Sequence, residues 1–137
     1  MSEIVIGYDG SDSSKSALKQ ACQFAKALKD DLVIVFAYAP GGYGGGEVPE
    51  QRRAVEEWGE KVTKEGVELA KEQKVGAKVE LINEHPHDAL ITAGDKHDAR
   101  MIVVGSHGDH PVVGAVIGAT PYKLVHSANR PVLVVRA

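Results

Sequence analysis

A single cysteine, Cys22, stands among 137 residues, so the chain cannot close an internal disulfide. Its thiol is expected to be buried and reduced. Aromatic residues are scarce, at 5% of the chain. Positive charge is not in excess: 16 Lys and Arg face 19 Asp and Glu, for a formal net charge of −3. That balance argues against a general nucleic-acid binder, which presents a basic face. No apolar run approaches the roughly 18 residues of a membrane span. The opening MSEIVIGYDG has neither the basic start nor the long apolar stretch of a secretory signal. The expectation is a cytoplasmic protein with neither nucleic acid nor membrane as a partner.

Several chemical signatures are missing too. No G-x-x-x-x-G-K-[ST] occurs, which excludes a P-loop ATPase, and no G-x-G-x-x-G follows the first apolar run, so a dinucleotide fold is not supported. VGSHG resembles a nucleophile elbow, but the residue two before Ser106 is Val104 rather than glycine. His107 and His110 are three apart, and His85 and His87 are two apart. Neither pair has carboxylate or cysteine partners at a matching spacing, so no metal site is assigned. No catalytic residue is assigned either.

What the chain does carry is a regular alternation. EIVIGYD is a short apolar run ended by Asp9-Gly10, the pattern of a buried strand and its turn. Ala17, Leu18, Ala21, Phe24, Ala25 and Leu28 then recur at helical spacing, with Ser11 or Ser13 able to cap the start. DLVIVFAYA reads as a second strand, and the glycine-rich PGGYGGGEVPE as a loop of no preferred shape. Val55, Trp58, Val62 and Leu69 mark a second helix through about Gln73. AKVELIN is a third strand, and Pro86 opens a third helix. ARMIVVGS, PYKLVHSA and RPVLVVRA are a fourth strand, a fourth helix and a fifth strand.

The strands read as apolar on both faces. That implies an α/β fold: a five-stranded parallel open sheet with crossover helices on both faces, over one domain, residues 1–137. The Rossmann-like order 3-2-1-4-5 is the natural choice. Ligands in such sheets sit beyond the carboxyl ends of the strands, where the chain reverses direction between strands one and four. YDGSDSS and GSHGDHPVVG emerge there.

The second of these loops has a recognisable spacing. Gly105-x2-Gly108-x9-Gly118 resembles the phosphate loop of the universal stress protein family, whose pattern is G-x2-G-x9-G followed by Ser or Thr. IVIGYDGSDSSKSAL is similar to the family's first strand, acidic turn and first helix, and RMIVVGSHG and RPVLVV to its last two strands. The resemblance covers nearly all of the chain. It implies an adenine nucleotide alpha hydrolase-like fold that takes ATP or AMP, with Mg²⁺ accompanying ATP, in a dimer active in stress tolerance or regulation. Asp9 then matches the acidic residue facing ribose and phosphates, and Gly7 lies where the backbone approaches the nucleoside. Ala37 matches the position whose backbone contacts adenine. Gly105, Ser106, His107 and Gly108 match the segment around ribose and phosphates, and Gly118 the third motif glycine. Asp9 also reads as a turn former or helix cap.

The sequence departs from that pattern after Gly118. The expected hydroxyl residue is Ala119, and a second is replaced by Pro121, which has no backbone N–H. Thr120, between them, keeps a hydroxyl and suits the N-cap of a helix with proline at N1. Three functions therefore stand side by side. One is a regulatory protein that binds adenine nucleotide, and another a dimeric interaction module that has lost nucleotide. The third is a slow ATP hydrolase, for which no general base is positioned, so enzyme activity is left open. The homodimer is expected through strand five, with Val132 and Val134 pairing against their own copies, because nothing follows RPVLVVRA to cover its edge.

Overall fold

The structure, a computed structural model, describes residues 2–38, 49–106 and 119–136, with the backbone alone at Pro49, Gln51 and Ala119. The elements alternate as expected: β1 (Glu3–Gly7), α1 (Asp12–Leu28), β2 (Asp31–Ala37), α2 (Pro49–Glu72), β3 (Ala77–Ile82), α3 (Pro86–Lys96), β4 (Met101–Gly105), α4 (Ala119–Ser127) and β5 (Val132–Val135). The five strands form one sheet in the order β3-β2-β1-β4-β5, with every pairing parallel. The expected topology holds. The glycine-rich stretch from Pro40 to Val48 lies outside the described residues, and α2 opens directly after it at Pro49.

Strand alternation divides the core into two layers. Ile4 and Ile6 of β1, with Leu32 and Ile34 of β2, pack beneath Ala17, Leu18, Ala21, Cys22 and Ala25 of α1 and Val62 and Ala70 of α2. Val5, Val33, Val35, Ile102 and Val104 face the other way, against Ala89, Leu90 and Ala93 of α3 and Leu124 of α4. Each fully buried Val, Leu or Ile contributes about 1.5–3 kcal/mol, so the three inner strands supply most of the drive to fold. Cys22 sits inside this core at 1% exposure, and burial pushes its thiol pKa up.

The edge strand β3 differs from expectation. Lys78 and Val79 are exposed, and Glu80 is half-buried. Instead of an apolar cover, this corner holds a charged cluster. His97 Nε2 lies 2.6 Å from Glu80 Oε2, and its Nδ1 lies 3.2 Å from Glu3 Oε1. Lys96 Nζ is 2.8 Å from Glu80 and Lys78 Nζ 3.0 Å from Glu3. The Lys96 hydrogen bond, helped by His97, holds the Glu80 carboxyl below its usual range against the opposing effect of burial. Charges on an edge strand also discourage unwanted pairing there.

Helix ends follow local chemistry. Ser11 caps α1, its Oγ accepting from Ser14 N–H at 3.1 Å. Lys29 closes that helix in the left-handed region, φ 60°, with its N–H directed at Ala25 and Lys26 carbonyls. Pro86 stands at the start of α3, where a missing N–H costs nothing. Among the described residues, no helix is long and apolar enough to cross a membrane.

Asp30, just after α1, joins three segments. Its buried carboxylate accepts from Arg100 Nε at 2.6 Å, Arg100 Nη2 at 3.2 Å and Ser2 N–H at 2.9 Å. The Arg100 hydrogen bond, ahead of the opposing effect of burial, holds the Asp30 carboxyl below its usual value. A depressed carboxyl stabilises the fold above its unfolded pKa of about 3.9, and that contribution is lost as pH falls through the folded value. Asp30→Asn is therefore expected to lower stability at pH 7 and to flatten the decline below about pH 4. Urea unfolding midpoints of both proteins at pH 7 and pH 3 check this; an equal gap at the two pH values would refute it.

Candidate functional site

The carboxyl edge of the sheet has a notch, because β1 stops before its neighbours. On one side the ladder ends with Tyr8 N–H donating to Val35 O at 3.0 Å. Even-numbered β2 residues face β3, as Leu32 N–H to Gly76 O and Tyr38 N–H to Ile82 O show. Odd-numbered ones face β1, so Ala37 presents its N–H and C=O past the end of β1. The next rung, Ala37 N–H to Tyr8 O, is not made among the described residues. On the other side, β1 and β4 pair only as far as Ile6 and Val103. Ile102 and Ser106 bond to β5, so the backbone of Gly105 also faces the gap. Two strands thus overhang β1, each turning main-chain polar groups toward the other.

The floor of the notch is the turn that leaves β1. Asp9 Oδ1 accepts from Ser11 N–H at 2.9 Å, and Asp9 N–H lies 3.4 Å from Ser14 Oγ. This is an Asx turn, so the turn-forming reading of Asp9 is realised. Gly10 follows at φ +84°, a region side chains rarely adopt, with Val62 of α2 packed against it. Tyr8 drives its ring into the core and donates its hydroxyl to Glu65 Oε1 of α2 at 2.5 Å. Burial, reinforced by Glu65, raises the Tyr8 hydroxyl pKa well above its usual value. Lys15 Nζ stands 3.9 Å from the same Glu65 oxygen. The turn is therefore clamped to α2 from two sides. The helical spacing made Val62 legible as a core position, whereas no local signal marked Glu65 as Tyr8's partner.

Gly7 and Gly105 are glycines for different reasons. A methyl group on Gly7 would lie 3.3 Å from Leu90 Cδ1 and 3.6 Å from Val104 Cγ1, contacts that a flexible Leu tip can ease. A methyl group on Gly105 would lie 2.3 Å from Ser13 Oγ and 2.8 Å from Ser13 O, inside the first turn of α1. That turn lies directly on the end of β4. Ser106 is buried, and its backbone N–H is already donated to Val135 O at 2.9 Å, which extends the β4–β5 ladder. This removes one main-chain donor from the phosphate segment expected there.

The helix α4 begins at Ala119, so Thr120 and Pro121 lie within its first turn. Thr120 is thus not the cap residue anticipated from Pro121 at N1. Proline in a first turn still breaks no helix hydrogen bond. His107, His110, Gly108, Gly114 and Gly118 lie outside the described residues. Of the nominated positions, Gly7, Asp9, Ala37, Gly105 and Ser106 come together around the notch. His85 stands just before α3 and His87 beside Asp88 at 3.3 Å. Among the described residues, no cluster of three His, Cys, Asp or Glu could hold a metal.

Comparison with known proteins places this geometry in a family. The model of the universal stress protein family matches residues 1–136, and the chain belongs to that family. A universal stress protein of Thermus aquaticus is 34% identical over 136 residues, covering 97% of each chain. One of Mycobacterium tuberculosis is 32% identical over 145 residues, covering 96% of this chain and 94% of its own. Among solved structures, a universal stress protein crystallised with cAMP is 26% identical, with a TM-score of 0.78 and coverage of 98% and 96%. A family member from Burkholderia pseudomallei has the same fold, with a TM-score of 0.81 at 24% identity over 99% of this chain and 96% of its own.

The glycine geometry generates a paired expectation. Gly105→Ala should destabilise the fold by about 1–3 kcal/mol, the usual range for overpacking against backbone. Gly7→Ala should cost less, because only side-chain tips must move. Urea denaturation of the two variants checks the order; a larger loss at Gly7 would contradict it.

Proposed function

We propose that this protein binds an adenine nucleotide in the notch over β1 and acts as a homodimer in regulation or stress tolerance. The observation that carries the reading is the unmade rung at Ala37. A main-chain N–H and C=O side by side match the N1 acceptor and N6 donor of adenine. An unpaired backbone group at a site closed to water would cost on the order of 1–3 kcal/mol, and a ligand edge satisfies it. The relative crystallised with cAMP, which shares this fold, supports the same ligand class. Asp9 takes the ribose: a carboxylate has about four lone-pair sites, so holding the turn and facing the ribose are compatible roles. Gly7 lines the nucleoside side. Gly105, Ser106, His107, Gly108 and Gly118, with Ala119 and Thr120, form the phosphate segment in this reading.

That segment favours few phosphates. Ala119 offers no hydroxyl and Pro121 neither hydroxyl nor N–H. Charge-assisted hydrogen bonds contribute about 1.5–3 kcal/mol each, and roughly 1.4 kcal/mol is tenfold in affinity. ATP, with its Mg²⁺, is therefore the weaker ligand and AMP the better one. The same two residues favour the second reading, a dimeric interaction module without nucleotide. Gentle purification, denaturation and chromatography of released nucleotide separates the two, since near-stoichiometric adenine nucleotide supports the first and an empty protein the second. Ala119→Ser with Pro121→Ser should tighten ATP by about 1–3 kcal/mol and AMP much less. Calorimetric titration reads both, and equal ATP affinities would show that these hydroxyls are not the limiting contacts.

The dimer reading rests on β5, the outer strand of the sheet. Ile102 N–H bonds to Pro131 O and Ser106 N–H to Val135 O, so odd-numbered residues face β4. Val132 and Val134 therefore turn their N–H and C=O groups outward. The helices packed against β5 carry exposed apolar side chains, Phe24 and Leu28 on α1 and Tyr122 and Val125 on α4. An apolar edge of this kind pairs readily with a second copy. Val134→Pro removes an outward donor without touching the β4 ladder. Sedimentation at micromolar concentration should give a dimer for the wild type and a monomer for this variant; a dimer that survives the substitution would rule out strand pairing.

A further inference from the structure

The apolar stripe of α2 runs past the core that it serves. Val62 packs against Gly10, and Ala70 is fully buried, whereas Trp58 is 55% exposed and Val55 39% exposed. The reason is geometric. As the crossover between parallel strands β2 and β3, α2 runs antiparallel to the sheet, and its first turns stand at the carboxyl edge. Trp58 precedes Val62 by one helical turn, about 5.4 Å along the axis. It precedes Glu65 by seven residues, which sets it on nearly the same side of the helix. Glu65 meets Tyr8 and Lys15, and Val62 meets Gly10. Trp58 is thus the next step along that line, beyond the Asp9–Gly10 turn. Helix α1 begins only at Asp12, after that turn. Long helical side chains also lean toward the helix N-terminus, here toward the mouth of the notch. Lys61 Nζ lies 5.9 Å from the indole centroid on the solvent side of α2.

We infer that Trp58 is the aromatic wall of the nucleotide notch and stacks on the base held at Ala37. This rests on the reading of the notch as an adenine-nucleotide site and adds a contact to it. A main-chain pair fixes one edge of a base but leaves its faces bare. An indole at the rim supplies a face, and base–aromatic stacking is a common source of affinity for nucleotides. It also accounts for a large apolar side chain left in water beside a polar crevice. Val55, one turn further out, widens the same apolar rim.

Trp58 is the chain's one tryptophan, so its fluorescence reports on this wall alone. The probes are AMP and ribose 5-phosphate, which lacks the base, titrated into wild type, Trp58→Ala and Trp58→Phe. The expected result is a change of indole emission on AMP addition and protection from iodide quenching at saturation. AMP affinity by calorimetry should fall about tenfold in Trp58→Ala and recover in Trp58→Phe. Ribose 5-phosphate should bind all three alike. Unchanged AMP affinity in Trp58→Ala, with iodide quenching unaffected by AMP, would overturn the stacking wall while leaving the nucleotide site in place. A wild type that gives no calorimetric signal with AMP would remove the nucleotide reading itself, and the wall with it.

Discussion

Everything at the carboxyl edge of this sheet depends on how closely α1 approaches the end of β4. The first turn of that helix rests on Gly105, with Ser13 where any side chain would have to go. A helix seated so low forces the chain to leave β1 early, in a turn held by Asp9 and Gly10. The early exit leaves β2 and β4 overhanging. The polar groups of Ala37 and Gly105 then lack the strand that would otherwise pair with them. The notch follows from a missing methyl group as directly as from any side chain that lines it.

A second helix keeps the turn in place. Tyr8 enters the core immediately before Asp9, and its hydroxyl finds Glu65 on α2. Breaking such a bond would leave the buried Tyr8 hydroxyl without its partner, so the bond ties the turn to α2. The opposite end of the sheet is built differently. There Asp30, Arg100 and Glu3 beside strand starts, His97 at the end of α3 and Glu80 from within β3 are joined by charge and hydrogen bonds rather than by apolar contact. The molecule thus has a dry centre, a charged base and an edge where backbone groups stand open.

Most of the fold could be read from residue spacing. Strand order followed from strict alternation, because apolar runs such as DLVIVFA, buried on both faces, leave little choice but a parallel sheet with crossovers. The reading failed where pattern and environment part. AKVELI is less apolar than its neighbours: Lys78 and Glu80 alternate with apolar residues and cover their corner by pairing with Lys96, His97 and Glu3, partners that no local periodicity reports. Val55 and Trp58 keep the helical period of Val62 but stand beyond the core, since periodicity fixes the side of a helix and not how far the sheet extends beneath it. Topology alone brings the loops of Asp9 and Gly105 together, whereas Ala37 joins them only through the resemblance to a family. Their spacing carries no such message alone, and the closeness of Gly105 to Ser13 depends on two segments far apart in sequence. The capping role anticipated for Thr120 gave way because α4 starts at Ala119, two residues before Pro121.

The chain's one thiol stands on the inner face of α1, sealed from water, and burial pushes its pKa up. An oxidant in solution therefore does not reach this thiol while the core stays closed. Each opening of α1 away from the sheet exposes Cys22 for the duration of that opening. Oxidation of that sulfur is therefore gated by opening of the core.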